Sequence, residues 1–292
     1  MSTSIIKIFL GVDLRSLLQD YRKFEKIAKN FNSKASELDA SREYFLAPTT
    51  LIPLTGFVRT NKNVEKIITH QRTHDYVKRI LEGKETGTNT KLTILPNTEV
   101  QRQQDETALH MAESIDYDTY GGYLTIFHIC NELINNIYNH TSMEKGYANY
   151  GYTYSQLYPR ERKLDICVLD DGLSIPGKFE NNDICFEDDC DAIYKAINGV
   201  TTAKDKDFES RGNGLWSTIK LIVEGNGGSV LLVSRNGCLH IRSKDNYKYY
   251  HLDNSSIFKG TLVSVRLKSN QVQHFHDLIE ISDSKNYVYK KI

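Results

Sequence analysis

The sequence carries no net charge: 37 Lys and Arg stand against 37 Asp and Glu. No global field therefore advertises a nucleic acid or an anionic membrane as partner. No apolar stretch approaches the roughly 20 residues of a membrane span. The amino-terminal run "IIKIFLGV" is short, is interrupted by Lys7 and lacks a cleavage-like site. The cysteines, Cys130, Cys167, Cys185, Cys190 and Cys238, are few and odd in number. Three sit in apolar periodic segments, where a free thiol acts as a small core residue, so a reducing, cytoplasmic setting is expected. There is no repeat period and no GxxxxGK[ST]. Gly212-x-Gly214 lacks both the third glycine and the preceding strand of a dinucleotide fingerprint.

What is present reads as an α/β chain whose 292 residues suit two domains. In the first third, strands are expected at "SIIKIFLGV" and "REYFLA". Helices are expected at "DLRSLLQDYRKFEKIAKNF", capped by Asp13, and through "NVEKIITHQRTHDYVKRILEG", with a strand at "KLTILP". Residues 1–100 are read as a small α/β domain with a weak likeness to STAS modules. Residues 101–292 follow as a second domain, with the polar run from Asn97 to Gly122 as connector. In that second part come a helix, the strand "KLDICVLD", a turn "DGLSIPG", a polar segment containing the helical patch "DAIYKAIN", a helix in "RGNGLWSTIKLIVEGNGG" and the strands "SVLLVS", "CLHIRS", "KYYHL" and "TLVSVRL". This order suits one mixed sheet with helices on one face, an α+β two-layer sandwich.

The stretch "HICNELINNIYNHTS" has no Lys or Arg at all. Ile126, Ile129, Cys130, Leu133, Ile134 and Ile137 recur at the helical period, while His128, Glu132, Asn135, Asn136, Asn139 and His140 share the opposite face. Asn is a poor interior helix former because its amide competes for backbone partners, so a merely solvated face would favour Lys, Gln or Arg. Short amides beside one carboxylate suit a ligand or a hydrated metal ion, or else a neighbouring loop whose polar groups they satisfy. Glu132 and Asn136 lie one turn apart. The carboxylate could deprotonate a water, and the amide oxygen could fill one position around Mg²⁺.

Two further stretches carry two readings each. Asp170 ends an apolar strand before Asp171-Gly172, which reads either as an ordinary Asp-Gly turn or as a carboxylate placed to accept from an exocyclic amine. Gly212 and Gly214 precede a helix and serve either loop flexibility or backbone contact with phosphate. The remaining signals are weaker. Cys185-x4-Cys190 sits in an acidic segment read as a solvated loop over the pocket. His70 and His74, and His274 with His276 and Asp277, lack the further ligands of a tight metal site. "GYANYGYTYSQLY" reads as a mobile insertion offering a partner surface.

Taken in order, "NELINNIYNH", "VLDDGLSIPG", "RGNGLW...IVEGNGG" and "GTLVSV" at Gly260 to Val265 resemble the N box, two glycine boxes and closing Gly-Thr strand of the GHKL ATP-binding superfamily, over residues 120 to 268. The resemblance implies a Bergerat-type fold with ATP and Mg²⁺ as ligands. Glu132 would be the general base and Asn136 the Mg²⁺ ligand, with Asn139 and His140 beside the nucleotide. Asp170 would read the adenine amine with Thr261 in support, and Gly172, Ser174 and Ile175 would line the first glycine box. Gly212, Gly214 and Leu215 would meet the phosphates. Ser174 stands where the family's second glycine would, and G-N-G-L-W replaces the common G-L-G-L run. The implied activity is slow ATP hydrolysis, with a lid from Asn181 to Ser210 ordered by nucleotide and acting on a protein partner, on the attached domain or on a second copy. Phosphoryl transfer to a partner protein and nucleotide sensing without turnover are the alternatives.

Overall fold

The computed structural model describes residues 16–32, 34, 36–81, 93–95, 101–113, 115, 118–140, 151–199, 214–253 and 259–269. The first described helix, α1 (Leu17–Lys29), starts at Ser16, not Asp13. Ser16 Oγ accepts from the Gln19 backbone while the Gln19 side chain accepts from the Ser16 N–H, so each satisfies a donor the helix leaves open. Next come β1 (Glu37–Ala40), α2 (Pro48–Thr60), β2 (Lys66–Thr69) and α3 (His74–Leu81). β1 and β2 pair in parallel as a separate two-stranded sheet. The expected strand at "REYFLA" is turn and irregular chain. The helix expected from residue 63 to 83 is instead β2 followed by α3, divided at a turn where Thr73 Oγ1 donates to the His70 carbonyl. The expected strand at residues 4–12 lies outside the described residues.

The main sheet is built from β3 (Thr93–Leu95), β4 (Gly151–Tyr158), β5 (Lys163–Asp170), β6 (Ser229–Ser234), β7 (Gly237–Ser243), β8 (Asn246–His251) and β9 (Thr261–Lys268). Their order is β3-β4-β5-β9-β6-β7-β8, with every neighbouring pair antiparallel. The α/β class thus stands, but this sheet is antiparallel throughout and not mixed; among the described residues, parallel pairing is confined to β1 and β2. Nor are the helices on one face. Side chains alternate along each strand, so Ile166, Val168, Val230, Leu232 and Val265 enter one hydrophobic cluster with α4 (Gln101–Glu113) and α5 (Tyr123–His140). Cys167, Leu169, Leu231, Val233 and Leu262 enter another with α1 and α2. The sheet is sandwiched.

This packing bears on the boundary expected near residue 100. α1 and α2 share their core with the sheet. Thr49 and Ser264 hydroxyls meet at 2.6 Å, and Gly56 lets α2 approach β5 so closely that a Cβ there would lie 2.9 Å from the Leu169 side chain. The stretch read as a tyrosine-rich insertion contains β4, a central strand in which Tyr152 and Tyr154 are fully buried. Among the described residues, no helix is long and apolar enough to cross a membrane.

Candidate functional site

The apolar stripe of α5 does what its period requires: Ile126, Ile129, Cys130, Leu133, Ile134 and Ile137 are all buried against the sheet. The opposite face is only half solvated. His128, Asn131, Glu132, Asn135 and Asn136 are each of intermediate exposure. Burial pushes the Glu132 carboxyl up from its ordinary value and the His128 imidazole down, since both charged forms lose water. Two amide atoms, Asn131 Oδ1 and Asn136 Nδ2, are buried with no hydrogen-bond partner among the described residues. An orphaned amide is costly to keep, so these atoms mark where an acceptor and a donor remain to be supplied. Asn131 was passed over in the sequence because it borders the polar face instead of centring it. Asn139 and His140 fall in the last turn of α5, and their side chains lie outside the described residues.

α8 (Gly214–Lys220), continued by a π-helical turn at Leu221–Gly225, begins directly over Glu132. A Cβ on Gly214 would lie 2.1 Å from Glu132 Oε2, so a larger residue there would have to push the carboxylate aside. Leu215 is half buried and packs on the same cluster as α5, as does Ile175. The fold therefore brings Glu132, Gly214, Leu215 and Ile175 to one side of the sheet. Gly212 lies outside the described residues.

Asp170 ends β5 and is almost wholly buried. Its Oδ1 accepts from Gly172 N at 2.8 Å, and its Oδ2 from Thr261 N at 3.1 Å, across 91 residues of chain. Gly260 makes that approach possible, since a Cβ on it would lie 1.8 Å from the Asp170 carbonyl oxygen. Behind the carboxylate, Thr261 Oγ1 meets Ser234 Oγ at 3.0 Å, and Ser234 Oγ accepts from Ile175 N at 2.9 Å. The Asx-type turn at Asp170–Gly172 is real, and it leaves each carboxylate oxygen with acceptor capacity to spare. Ser234 was not singled out in the sequence; a hydroxyl closing an apolar strand beside the Gly-Thr strand was the available signal.

Burial pushes the Asp170 carboxyl up to about 7, against the two N–H donors that pull it down. Its folded value stands above its unfolded one. The folded state therefore binds the extra proton between about pH 4 and pH 7, and the associated stability is complete below that window and lost as pH rises through it. In urea titrations across this range, wild type should lose stability relative to Asp170→Asn as pH rises. A difference that stays constant with pH would mean that this carboxyl does not titrate there.

Ser174, where the resemblance places a glycine, opens α6 (Ser174–Glu180) with φ of 70°, the left-handed region. For a residue with a Cβ this costs about 1 to 2 kcal/mol. Its Oγ offsets part of that by accepting from Gly177 N at 3.2 Å. Ser174→Ala should keep the strain and lose the bond, while Ser174→Gly should lose both. The Gly variant should then be more stable than the Ala variant by about 1 kcal/mol. The reverse order in denaturant titration would remove the strain argument.

Several other expectations change. α7 (Asp189–Ile197) lies within the stretch read as a lid, yet Cys190, Ala192, Ile193 and Ile197 are buried against the sheet, so this part is docked structure. Residues 200–210 of that stretch lie outside the described residues. His70 and His74 do not share a helix face: His70 precedes α3 and packs its ring at a tilt against Tyr44, while His74 Nδ1 meets Thr69 Oγ1 at 2.9 Å. His274 and His276 lie outside the described residues. A cleft of about 370 Å³, lined by Lys26, Asn30, Asp39 and Arg42 among others, opens on the α1 side of the sheet and includes none of the site residues above. No protein-family model, curated protein or solved structure matches this chain.

Proposed function

We propose that residues 120 to 268 bind Mg-ATP in the manner of the GHKL superfamily and hydrolyse it slowly. The observation that carries this reading is the pairing of distant motifs. The strand-ending Asp170 receives Thr261 from the closing strand, and Glu132 on α5 receives Gly214 from the second glycine box. The first pair continues the β5–β9 register, which sets Asp170 opposite Thr261, and the second is made where α8 packs on α5; in both, the sheet and helix packing brings one motif's polar group against another motif's backbone. The residues present fit a nucleotide: the buried Asn136 Nδ2, without a partner among the described residues, is a donor suited to a phosphate oxygen, and Asp170 retains acceptor capacity toward an amine.

In this reading Asp170 accepts from the adenine amine, with Thr261 and Ser234 holding it in place. Half-buried Glu132, its basicity raised by desolvation, takes a proton from a water as the water oxygen bonds to the γ-phosphorus. The bond from that phosphorus to the bridging oxygen breaks, and the electron pair leaves with ADP. Mg²⁺, held by Asn136, would neutralise charge on the phosphates. The nucleotide state would be passed to a protein partner, to the amino-terminal part of the chain or to a second copy of the chain.

The test is a thermal-shift series with ATP, ADP and GTP, with and without Mg²⁺, followed by tracing the γ-phosphate. ATP and ADP should raise the apparent melting temperature, since a ligand bound only to the native state stabilises it. GTP should not, because it presents a carbonyl where Asp170 requires a donor. Free phosphate supports hydrolysis, label on a protein supports a kinase, and binding with neither supports a sensor. Equal shifts with all nucleotides, or none, would remove the reading.

A further inference from the structure

Away from Glu132 and Asp170, a second group of reactive side chains converges where α7 meets the end of β8. Asp188 is the N-cap of α7, its Oδ1 accepting from Asp191 N at 2.8 Å. Its other oxygen, Oδ2, faces His251 Nε2 at 3.8 Å. On the other edge of that ring, His251 Nδ1 lies 3.8 Å from the sulfur of Cys190, which is itself fully buried and 3.3 Å from the Tyr250 carbonyl. One ligand atom from each of Asp188, Cys190 and His251 lies within 4.8 Å of the others.

The approach of the two elements is built into the backbone. Gly237 pairs with His251 in the β7–β8 ladder, and a Cβ on Gly237 would lie 2.6 Å from the Asp189 carbonyl oxygen. The Asp189 carboxylate in turn accepts from Asn236 N at 3.0 Å. Glycine at 237 thus seats the first turn of α7 on the sheet edge, which is what sets Asp188 and Cys190 beside His251.

We propose that Asp188, Cys190 and His251 form a site for a zinc-class divalent cation, which fastens the start of α7 to the end of β8. The donor set is sulfur, imidazole nitrogen and carboxylate oxygen, the mixture that zinc takes and that Mg²⁺ and Ca²⁺ do not. Metal–sulfur and metal–nitrogen bonds of about 2.3 and 2.0 Å at a tetrahedral angle separate the ligand atoms by about 3.5 Å. The observed 3.8 Å between sulfur and Nδ1 is thus close to a coordinating distance already. Oδ1 of Asp188 caps α7, and Oδ2 is the oxygen turned toward His251. His251 and Asp188 are partly exposed and give the ion a path to the buried sulfur, with water as the fourth ligand. Binding releases the thiol proton, and the S–H contact to Tyr250 gives way to a metal–sulfur bond. The thiolate and the carboxylate together balance the charge of the ion. The sequence hid this site, because Cys190 sits in an acidic segment read as a solvated loop and its partner imidazole lies 61 residues away.

The test uses the full chain, reduced and stripped with chelator, titrated with Co²⁺ and then with Zn²⁺. One equivalent of Co²⁺ should produce a thiolate-to-cobalt charge-transfer band that Zn²⁺ abolishes, and Zn²⁺ should raise the melting temperature. Cys190→Ser should lose the band. His251→Ala, at an exposed position, should weaken binding at least tenfold, as should Asp188→Asn, which keeps a competent helix cap. Cys185→Ser should behave as wild type. The site is overturned by absence of the band in the wild-type chain, by its survival in Cys190→Ser, or by its loss in Cys185→Ser. Rapid alkylation of Cys190 that Zn²⁺ does not slow would also overturn it and point to a nucleophilic thiol.

Discussion

Arg266→Met should lower the unfolding free energy by about 3 to 5 kcal/mol, the range for removing one partner of a buried ion pair. Arg266 on β9 is paired in register with Asp165 on β5, its Nε and Nη2 each donating to a separate carboxylate oxygen at 2.7 Å. Nη2 also lies 3.4 Å from Asp20 on α1. Asp20 and Asp165 are fully buried, and Arg266 is 3% exposed. Burial pushes the Asp165 carboxyl up, and Arg266 is the chief influence drawing it back down. Without the guanidinium, two carboxylates share a dry space on the face where α1 docks, and Asp165, buried and with its paired cation gone, takes up a proton instead of remaining charged. The Asp165 carboxyl, already held above its ordinary value by burial, loses the group that draws it down and moves further up, so the variant's deficit should shrink toward acid pH and widen as pH rises toward neutrality. Urea unfolding of both proteins at acid and neutral pH measures this. A loss below about 1 kcal/mol would mean the cluster is solvated and behaves as a surface pair. Such an ion cluster is poor evidence of net stabilisation, since apolar residues of similar volume at all three positions could serve as well or better. Its effect on specificity is clearer: it ties α1 to the sheet's central strand, β9, and to its neighbour β5.

That cluster shows what the sequence disclosed and what it withheld. One Asp inside "KLDICVLD" and one Arg inside "TLVSVRL" are unlike their apolar neighbours, and each had to find a partner, but only the register of β5 on β9 says which. The same two strands read as nearly continuous apolar runs, the signature of burial on both faces. That signal was available against the one-faced sandwich expected here. α5 was legible because its apolar stripe and polar face are both intact. α2 was not: from Pro48 to Phe57 every residue is buried, with Pro53 inside the helix, so no polar face marks a period. β4 was hidden for a different reason. Its Gly, Tyr, Thr and Ser look like a polar loop, yet aromatic and β-branched residues suit a pleated strand once helices cover it. Within the candidate site, the sequence motifs named Glu132, Asp170 and Thr261. Gly260 was quoted there as the start of the Gly-Thr strand, but its role against the Asp170 backbone, and Ser234 altogether, emerged only from the close approaches that three-dimensional packing imposes.

Glu132→Gln should retain Mg-ATP binding while phosphate release falls about a hundredfold to ten-thousandfold, the usual contribution of a positioned general base. The amide preserves the volume pressed against Gly214, so packing at the start of α8 is kept and only basicity is removed. Glu132→Ala removes both and opens space beneath α8; comparing the two separates chemistry from support. If Glu132 were chiefly a prop for α8, the Gln variant would turn over normally and only the Ala variant would fail. If it is the base, both fail alike while the nucleotide-induced rise in melting temperature survives in the Gln variant. The wild-type rate should rise with pH as the carboxyl, held above its ordinary value by desolvation, becomes ionised, and that rise should vanish from the residual rate of the Gln variant. Asn136→Ala should behave differently, weakening nucleotide binding in the presence of Mg²⁺ far more than in its absence. Undiminished phosphate release from Glu132→Gln would remove the base assignment, even with ATP still bound, and would leave the polar face of α5 as a recognition surface.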